Sequence, residues 1–477
     1  MRKNIATEND ANFLKKISYQ KVNIYEIIAL TISNIAPSMT IGLNILILIK
    51  LSGGNSLYSL LVVGFIFLML AVQLATLAFY YPSSGGTYAY ISNSLSPFLG
   101  FILVVETLLL APFSLGNVPI IASQYIISMI NYFFNIKFNF DVVLIMSIII
   151  LFATWLVVRR GIIISSLVTS FFELFSIVVF VSLSIIIIFT NHFNLNIFNF
   201  RSIDLKGIGE GFVFCVYSYN GFQSAGHFAL EARNRKDAPL AIIFSLVISV
   251  VVFSIITYAL LLLIESKHAL PQNVSAIISG YFRPPESKVI YVLCDLAIIF
   301  AILSGCISML NTYSRLIYNA SKHKIIHNFF SIRDKKNNIP VIAINTLAIM
   351  LLILPVGMLL FNKNLNYVML MMEPVSSTLF LYAMSLVTIS AAWRSISHGV
   401  NFTSYIMIFF SLIILFSILF IAYGILSAFP AGIDLVFFLC YSGVAIIIIA
   451  AFFISRNGKY FSAIYNSFNR SEINDEL

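Results

Sequence analysis

Long apolar segments recur along this chain of 477 residues, and they constrain its fold more than any other feature. Each carries few charges and is about 20 residues long, the length of a helix that crosses the ~30 Å hydrocarbon core of a bilayer. The whole chain is 60% hydrophobic and 10% charged, which is far more apolar than a soluble domain. The sequence therefore predicts an all-α polytopic membrane protein with twelve spans, near residues 24–49, 57–80, 98–125, 141–158, 162–190, 207–229, 239–264, 289–313, 341–361, 366–390, 402–428 and 432–455.

The basic residues of the loops predict the orientation in a cell membrane. With the N-terminus inside, 20 of the 28 Lys and Arg residues lie in cytoplasmic segments, so both termini are expected in the cytoplasm. This bias and contact with anionic lipid headgroups explain the net charge of +9, so the expected partner is the lipid bilayer and not a nucleic acid. The first 23 residues lack an apolar h-region and do not resemble a cleavable signal peptide.

Two spans are interrupted by polar residues, glycine or proline near their middle. The first span carries Asn34–Ser38, which includes Pro37, and the sixth loses its apolar pattern at Tyr217–Gly226. Pro37 alone would indicate an ordinary proline kink. A pair of interruptions in two halves of a membrane protein instead indicates broken helices that line a midplane binding cavity, because lipid-exposed backbone must be hydrogen-bonded internally. Gly221 is expected to permit the break in the sixth span and a close approach of substrate to the backbone.

Three acidic residues lie inside apolar spans, namely Glu106, Glu173 and Glu373. Ionisable residues are costly there, so each is a candidate for a gate or for ion coupling. Glu173 lies 13 residues beyond Arg160, or about 20 Å along a helix, and a carboxyl at that depth could carry the coupled proton. The alternative is a carboxyl bonded to a nearby hydroxyl such as that of Thr169. Glu373 lies nearer the outer surface, where gating is as plausible as coupling.

Enzyme and metal sites find little support in the sequence. His227 follows Ser224 by three residues, but no carboxylate is positioned to orient a catalytic histidine. His323 and His327 have metal-compatible spacing without a third ligand, and no P-loop pattern occurs. We therefore expect no catalysis, no cofactor and no metal.

Three motifs on the predicted cytoplasmic side resemble those of the amino acid, polyamine and organocation transporter family. They are YPSSGGTYAYI at 81–91, GFQSAGHFALEARNRKDAP at 221–239 and SRLIYNASKHKIIH at 314–327. The first of them, with its Gly85–Gly86 pair and no charge, also predicts a reentrant turn or short helix. The resemblance implies two inverted five-helix repeats, 24–190 and 207–390, with broken helices one and six. Spans 11 and 12 (402–455) would be accessory, and 1–23 and 456–477 would be cytoplasmic tails.

The resemblance also implies where an amino acid would bind. Backbone N–H groups of Ser38, Met39 and Thr40 would hold the substrate carboxylate. Backbone carbonyls would hold the amine, and these belong to Asn34, Ile35, Tyr217, Ser218 and Asn220. Tyr217 would also cover the substrate as a movable lid. The chain departs from the family in having Pro37–Ser38–Met39 where glycines are common and Gln223 where many members have an acid.

The function expected from these observations is secondary active transport of amino acids by alternating access, coupled to protons or by exchange. Sodium is the alternative coupling ion. The positive end of a half-helix favours a carboxylate and unwound carbonyls favour an ammonium, which fits a zwitterion. Neither break contains an acid, which favours a neutral or apolar amino acid. The alternatives are a nutrient-sensing receptor with a transporter fold and a transporter of polyamines or organic cations. A channel would need a polar stripe on several helices, and the spans between 402 and 455 have none.

Overall fold

The structure is a computed structural model that describes residues 22–116, 118–134, 140–191, 205–265, 273–323, 326–334, 339–361, 365–397 and 402–428. Within them the chain is almost entirely helical. The α-helices are α1 Ile24–Ile35, α2 Pro37–Leu43, α3 Ile45–Ser52, α4 Ser56–Tyr80, α5 Thr87–Ser94, α6 Pro97–Leu115, α7 Val118–Phe134, α8 Phe140–Val158, α9 Ile162–Thr190, α10 Leu205–Tyr219, α11 Asp237–Glu265, α12 Val274–Ser279, α13 Glu286–Lys322, α14 Val341–Phe361, α15 Leu365–Ser397 and α16 Phe402–Ala428. A 3-10 segment, Phe222–Phe228, follows α10.

Membrane-spanning length and composition recur throughout the described residues. Seven helical segments are long and apolar enough to cross a bilayer, and four shorter apolar helices accompany them. An all-α membrane fold is therefore confirmed. The last predicted span, 432–455, and both predicted tails except Val22 and Asn23 lie outside the described residues.

Two spans are longer than hydropathy predicts. The third continues past residue 125 through α7 to Phe134, and the eighth, α13, runs to Lys322 and not to 313. The added turns of α13 are polar, but Ser314, Asn319 and Ser321 are buried and donate side-chain hydrogen bonds to backbone carbonyls. Polar residues that are satisfied inside the protein lower the hydropathy without ending the helix.

Helix α13 occupies the centre of the bundle. It packs against α1, α2, α6, α7, α8, α9 and α14, and its closest partner is α9. Helix α9 has one exposed apolar face and one buried face. Leu167, Phe171 and Leu174 are exposed at helical spacing, whereas Glu173 is buried. An apolar exposed face is what contact with lipid requires, and it leaves Glu173 facing the protein.

The reentrant turn or short helix predicted between the second and third spans corresponds to the short helix α5. Its tyrosines Tyr88 and Tyr90 are fully buried, as expected for a segment without charge. The Tyr90 hydroxyl donates to the carbonyl of Gly226 at 3.2 Å, which joins α5 to the 3-10 segment of the sixth span.

Candidate functional site

The break in the first span is centred on Ala36. Helix α1 ends at Ile35, Ala36 takes a left-handed conformation with φ 47° and ψ 64°, and Pro37 begins α2. A proline disfavours right-handed helix in the residue before it, and it is well suited to the first position of the next helix. A left-handed alanine costs about 1–2 kcal/mol, so the surrounding packing must maintain the break. The interruption predicted at Asn34–Ser38 is confirmed.

The break in the sixth span follows Tyr219 and turns at Gly221. Gly221 has φ +120°, a conformation that L side chains rarely adopt, and the chain continues as the 3-10 segment. The side chain of Gln223 holds this turn together. Its Oε1 accepts from the N–H of Gly221 at 3.0 Å, and its Nε2 donates to Oδ1 of Asn220 at 3.1 Å. The side-chain amide of Gln223 therefore cross-links the break.

The two breaks touch each other through their backbones. A Cβ added to Gly221 would lie 2.7 Å from the carbonyl carbon and oxygen of Asn34 and 2.9 Å from the nitrogen of Ile35. The sequence predicted that Gly221 lets the substrate approach the backbone. The structure shows that the group in closest approach is the Asn34–Ile35 peptide of the other break.

Helix α13 fixes the first break with a row of hydroxyl groups. The side-chain amide of Asn34 donates to Oγ1 of Thr312 at 2.9 Å, and Oγ of Ser308 donates to the carbonyl of Leu30 at 2.7 Å. Four residues earlier on α13, Ser304 donates to the carbonyl of Thr169 at 3.3 Å. The row joins the eighth span to the first and the fifth.

A small cavity of ≈ 30 Å³ opens beside the breaks. Its walls come from α1, α5, α6, the 3-10 segment, α13 and α15. The polar lining residues include Asn34, Thr87, Glu106, Asn220, Gln223, Ser224, His227 and Thr312, and the apolar and aromatic ones include Met309, Tyr313, Phe380 and Met384. Polar residues of the cavity lining thus come both from the breaks and from α5, α6 and α13, and apolar or aromatic residues come from α13 and α15.

The predicted site residues divide between this cavity and the layer behind it. Asn34, Asn220, Gly221 and Glu106 line the cavity. The others are buried but not part of its lining, and they are Ile35, Ser38, Met39, Thr40, Tyr217, Ser218 and Glu173. The side chain of Glu373 lies outside the described residues. Tyr217 therefore does not cover the cavity in this conformation, where Phe380 contributes an aromatic ring instead.

Sequence reasoning missed several lining residues, among them Thr312, Phe380 and Ser224. A signal for Thr312 was present, since Ser304, Ser308 and Thr312 recur every four residues and place hydroxyls on one face of an apolar helix. Phe380 had no such signal, because one phenylalanine in an apolar span looks like any other.

Glu106 is the acidic residue of the cavity lining. It is 5% exposed, its Oε2 accepts a long 3.4 Å hydrogen bond from the Thr107 hydroxyl, and its Oε1 has no hydrogen-bond partner among the described residues. No lysine or arginine lines the described walls. The hydroxyl of Ser224 also lacks a partner there.

His227 serves the packing of the site. Its Nδ1 donates to the carbonyl of Ser84 at 3.2 Å. Gly86, with φ +63°, lies so close that a Cβ there would be 2.6 Å from the imidazole ring. The imidazole therefore locks the reentrant segment against the sixth span. Among the described residues no group of three or more His, Cys, Asp and Glu could hold a metal.

An ion pair, called the latch below, lies at the end of the bundle predicted to face the cytoplasm. Nε and Nη2 of Arg315 donate to the two carboxylate oxygens of Glu231 at 3.0 and 3.2 Å, and the guanidinium stacks on Phe228. Beside it the N–H of Val22 donates to the carbonyl of Glu231 at 2.8 Å, and the N–H of Arg233 donates back to Val22. The segment before the first span, the sixth span and α13 are thereby tied together.

Comparison with known proteins is consistent with this architecture. The chain resembles the solved structure of MhsT in complex with L-phenylalanine, with a TM-score of 0.61 and 13% identity over 86% of this chain and 99% of that one. This likeness shows the fold, a transporter fold with two inverted five-helix repeats. Curated protein sequences give no match. The profile of the amino acid permease family matches residues 23–453, which is nearly the whole chain. The chain therefore belongs to the amino acid permease family, a family of transporters and not of enzymes.

Proposed function

We propose that the chain moves an α-amino acid across the cell membrane by alternating access, and that the substrate binds where the two helix breaks meet. The observation that carries this proposal is the backbone contact between Gly221 and Asn34, with a cavity directly beside it. Unwound backbone at membrane depth is tolerated where it lines such a cavity, and it offers both donors and acceptors to a zwitterion.

The carboxylate end of the substrate finds its partner at the start of α2. The first N–H groups of a helix have no partner within it, and they carry a partial positive charge. Ser38 lies at the second position of α2, next to these N–H groups. Its hydroxyl is fully buried and has no hydrogen-bond partner among the described residues. Ser38 and Met39 lie behind the present cavity lining, so a carboxylate would reach and satisfy these groups only once the cavity widens toward α2.

Substrate entry requires the cavity to widen, since ≈ 30 Å³ holds only one or two waters. Met309 and Met384 line it, and methionine side chains have the rotational freedom to repack around a ligand. The Arg315–Glu231 latch closes the predicted cytoplasmic end. We take this conformation as a closed one and the latch as the contact that breaks when the site opens to the cytoplasm.

Coupling to protons is assigned to Glu173. The carboxyl is 2% exposed, and neither of its oxygens meets hydrogen-bond geometry with a described residue, although the Ser304 hydroxyl of α13 lies close enough to interact with it. The Thr169 hydroxyl, an alternative partner, donates to the carbonyl of Ser166, and Ser304 donates to the carbonyl of Thr169. A carboxyl is the group that can bind and release a proton, and α9, which carries Glu173, packs against α13, so a movement of these helices would change its surroundings.

Proteoliposome uptake tests the proposed function. Purified protein is reconstituted, and uptake of the twenty radiolabelled amino acids is measured with and without inward proton and sodium gradients. Saturable uptake of at least one amino acid is expected, and a proton gradient should drive its accumulation. Binding without flux would identify a receptor, and the absence of both binding and flux for all twenty amino acids would reject the proposal.

A further inference from the structure

Glu106 reaches the cavity from the third span, which contains neither helix break. A preference for neutral substrates rests on the absence of an acid from the two breaks, and in the folded chain Glu106 lines the same cavity as Asn34 and Asn220. The cavity therefore has an acidic wall that the linear sequence does not reveal.

The carboxyl group of Glu106 has fewer hydrogen bonds than its two oxygens can accept. One oxygen has no partner among the described residues, and the other accepts one long hydrogen bond from its neighbour Thr107. An ionised carboxylate that is buried without a partner is strongly unfavourable. A protonated carboxyl is also unfavourable there, because its O–H group or its carbonyl oxygen would be buried without a hydrogen bond. Glu106 therefore lacks a hydrogen-bond donor or a positive charge that the described part of the chain does not supply and that a ligand could.

The surroundings of Glu106 suit an organic cation. No lysine or arginine lines the described walls, so an ionised Glu106 gives them one negative charge. A neutral zwitterion would leave this charge uncompensated, whereas one additional positive charge on the substrate would balance it. Tyr313 and Phe380 line the same cavity, and aromatic rings stabilise ammonium and guanidinium groups that have left water.

We infer that the substrate is an amino acid with a cationic side chain, and that Glu106 binds the charged end of this side chain. The inference rests on the proposed function, because it takes the α-amino and α-carboxylate groups to be held at the helix breaks. The side chain then extends across the cavity toward α6. Ser224, whose buried hydroxyl has no partner among the described residues, is available for a second hydrogen bond.

Matched pairs of ligands test this assignment directly. L-arginine and L-citrulline have nearly the same shape and differ in side-chain charge. L-lysine and L-norleucine share a four-carbon side chain, and only lysine carries a terminal ammonium group. Binding is measured by scintillation proximity on the purified protein. The wild-type protein should bind the cationic member of each pair at least tenfold more tightly, which corresponds to about 1.4 kcal/mol. Glu106→Gln should remove this preference and keep the affinity for citrulline within about twofold. Glu286→Gln, the same change at an exposed position, is the control and should leave both affinities unchanged.

A second variant keeps the test decisive if Glu106→Gln does not fold. Glu106→Asp preserves the charge and withdraws it by one methylene, so it should shift the preference from ornithine toward lysine, whose side chain is one methylene longer. An unchanged ratio of the two affinities contradicts a direct contact.

Equal weakening of arginine and citrulline binding by Glu106→Gln also rejects the inference, because a structural or proton-binding role would affect both. If the wild-type protein transports neutral amino acids and no cationic ones, the inference fails and the proposed function stands. If it transports none, both fail.

Discussion

The position of Gly221 excludes other residues for two reasons, its backbone conformation and the lack of space for a side chain. Its φ of +120° disfavours any other residue, and its backbone lies against that of Asn34. Gly221→Ala should therefore weaken amino acid binding at least tenfold, since backbone strain of this kind costs on the order of 1–3 kcal/mol before the clash is counted. The measurement is ligand affinity by scintillation proximity, together with the melting temperature.

The control for this change is Gly357→Ala. Gly357 lies within α14, and a Cβ there would meet none of the described atoms within 4 Å. In a helix interior alanine is more favourable than glycine, so binding and melting temperature should not fall. If both variants bind like the wild type, the contact between the two breaks does not matter for the site.

Glu173 and Glu106 are two buried carboxyls with separable expected roles. Glu173 faces α13 outside the cavity and Glu106 lines it. Glu173→Gln should abolish accumulation driven by an inward proton gradient, because an amide cannot carry the proton, and it should leave exchange of internal for external amino acid intact. Both fluxes are measured in proteoliposomes, with Glu286→Gln as the exposed control. Accumulation that still follows the gradient would mean that another group couples transport to protons.

At the scale of the helix, the sequence predicts elements better than it predicts the site. Apolar length predicts most spans, and Pro37 and Gly221 predict the two breaks because proline and glycine act locally on the backbone. Which side chains face the cavity is a tertiary property. Tyr217 lies in the last turn of α10 before the break, and the packing of neighbouring helices decides which residues of that turn line the cavity, so the sequence could not predict that Tyr217 is left out of the lining. Nor could it bring Glu106 beside residues more than a hundred positions later.

The latch between Arg315 and Glu231 makes a prediction at this scale. Its two parallel hydrogen bonds need the planar fork of arginine, and a lysine provides a single point charge. Arg315→Lys should therefore shift the protein toward the conformation open at this end, roughly tenfold if the loss is about 1.4 kcal/mol. The measurement is the labelling rate of a cysteine introduced at Ser224, with a membrane-impermeant maleimide applied from the side of the N-terminus.

Arg160→Lys is the control for the latch, because Arg160 is exposed and the same substitution there touches neither the cavity nor the latch. The rate should rise several-fold in Arg315→Lys and stay at the wild-type value in Arg160→Lys. Equal rates in the two variants would show that the ion pair does not hold this end closed.

Across the whole molecule, the fold joins two halves that are distant in the sequence. The first and sixth spans meet at their breaks, and α13 binds the first span through Ser308 and Thr312. Helix α13 also packs against α9, which carries Glu173. A shift of α13 would thus change the contacts of the first break, of Glu173 and of Arg315 at the same time. This connection is a physical route by which proton binding, substrate binding and opening of the latch could be coupled.

The basic residues of the loops predict how the whole molecule is oriented in the membrane. Twenty of the 28 basic residues lie on one side when both termini are inside, which favours a cytoplasmic location for that side. Arg160 and Lys288 are exposed basic residues on opposite predicted sides, and each can be replaced by cysteine in a background from which the native cysteines have been removed. In intact cells an impermeant maleimide should label Lys288→Cys and leave Arg160→Cys unlabelled until the membrane is permeabilised. The reverse pattern would invert the orientation, and it would place the Arg315–Glu231 latch at the outer end of the pathway.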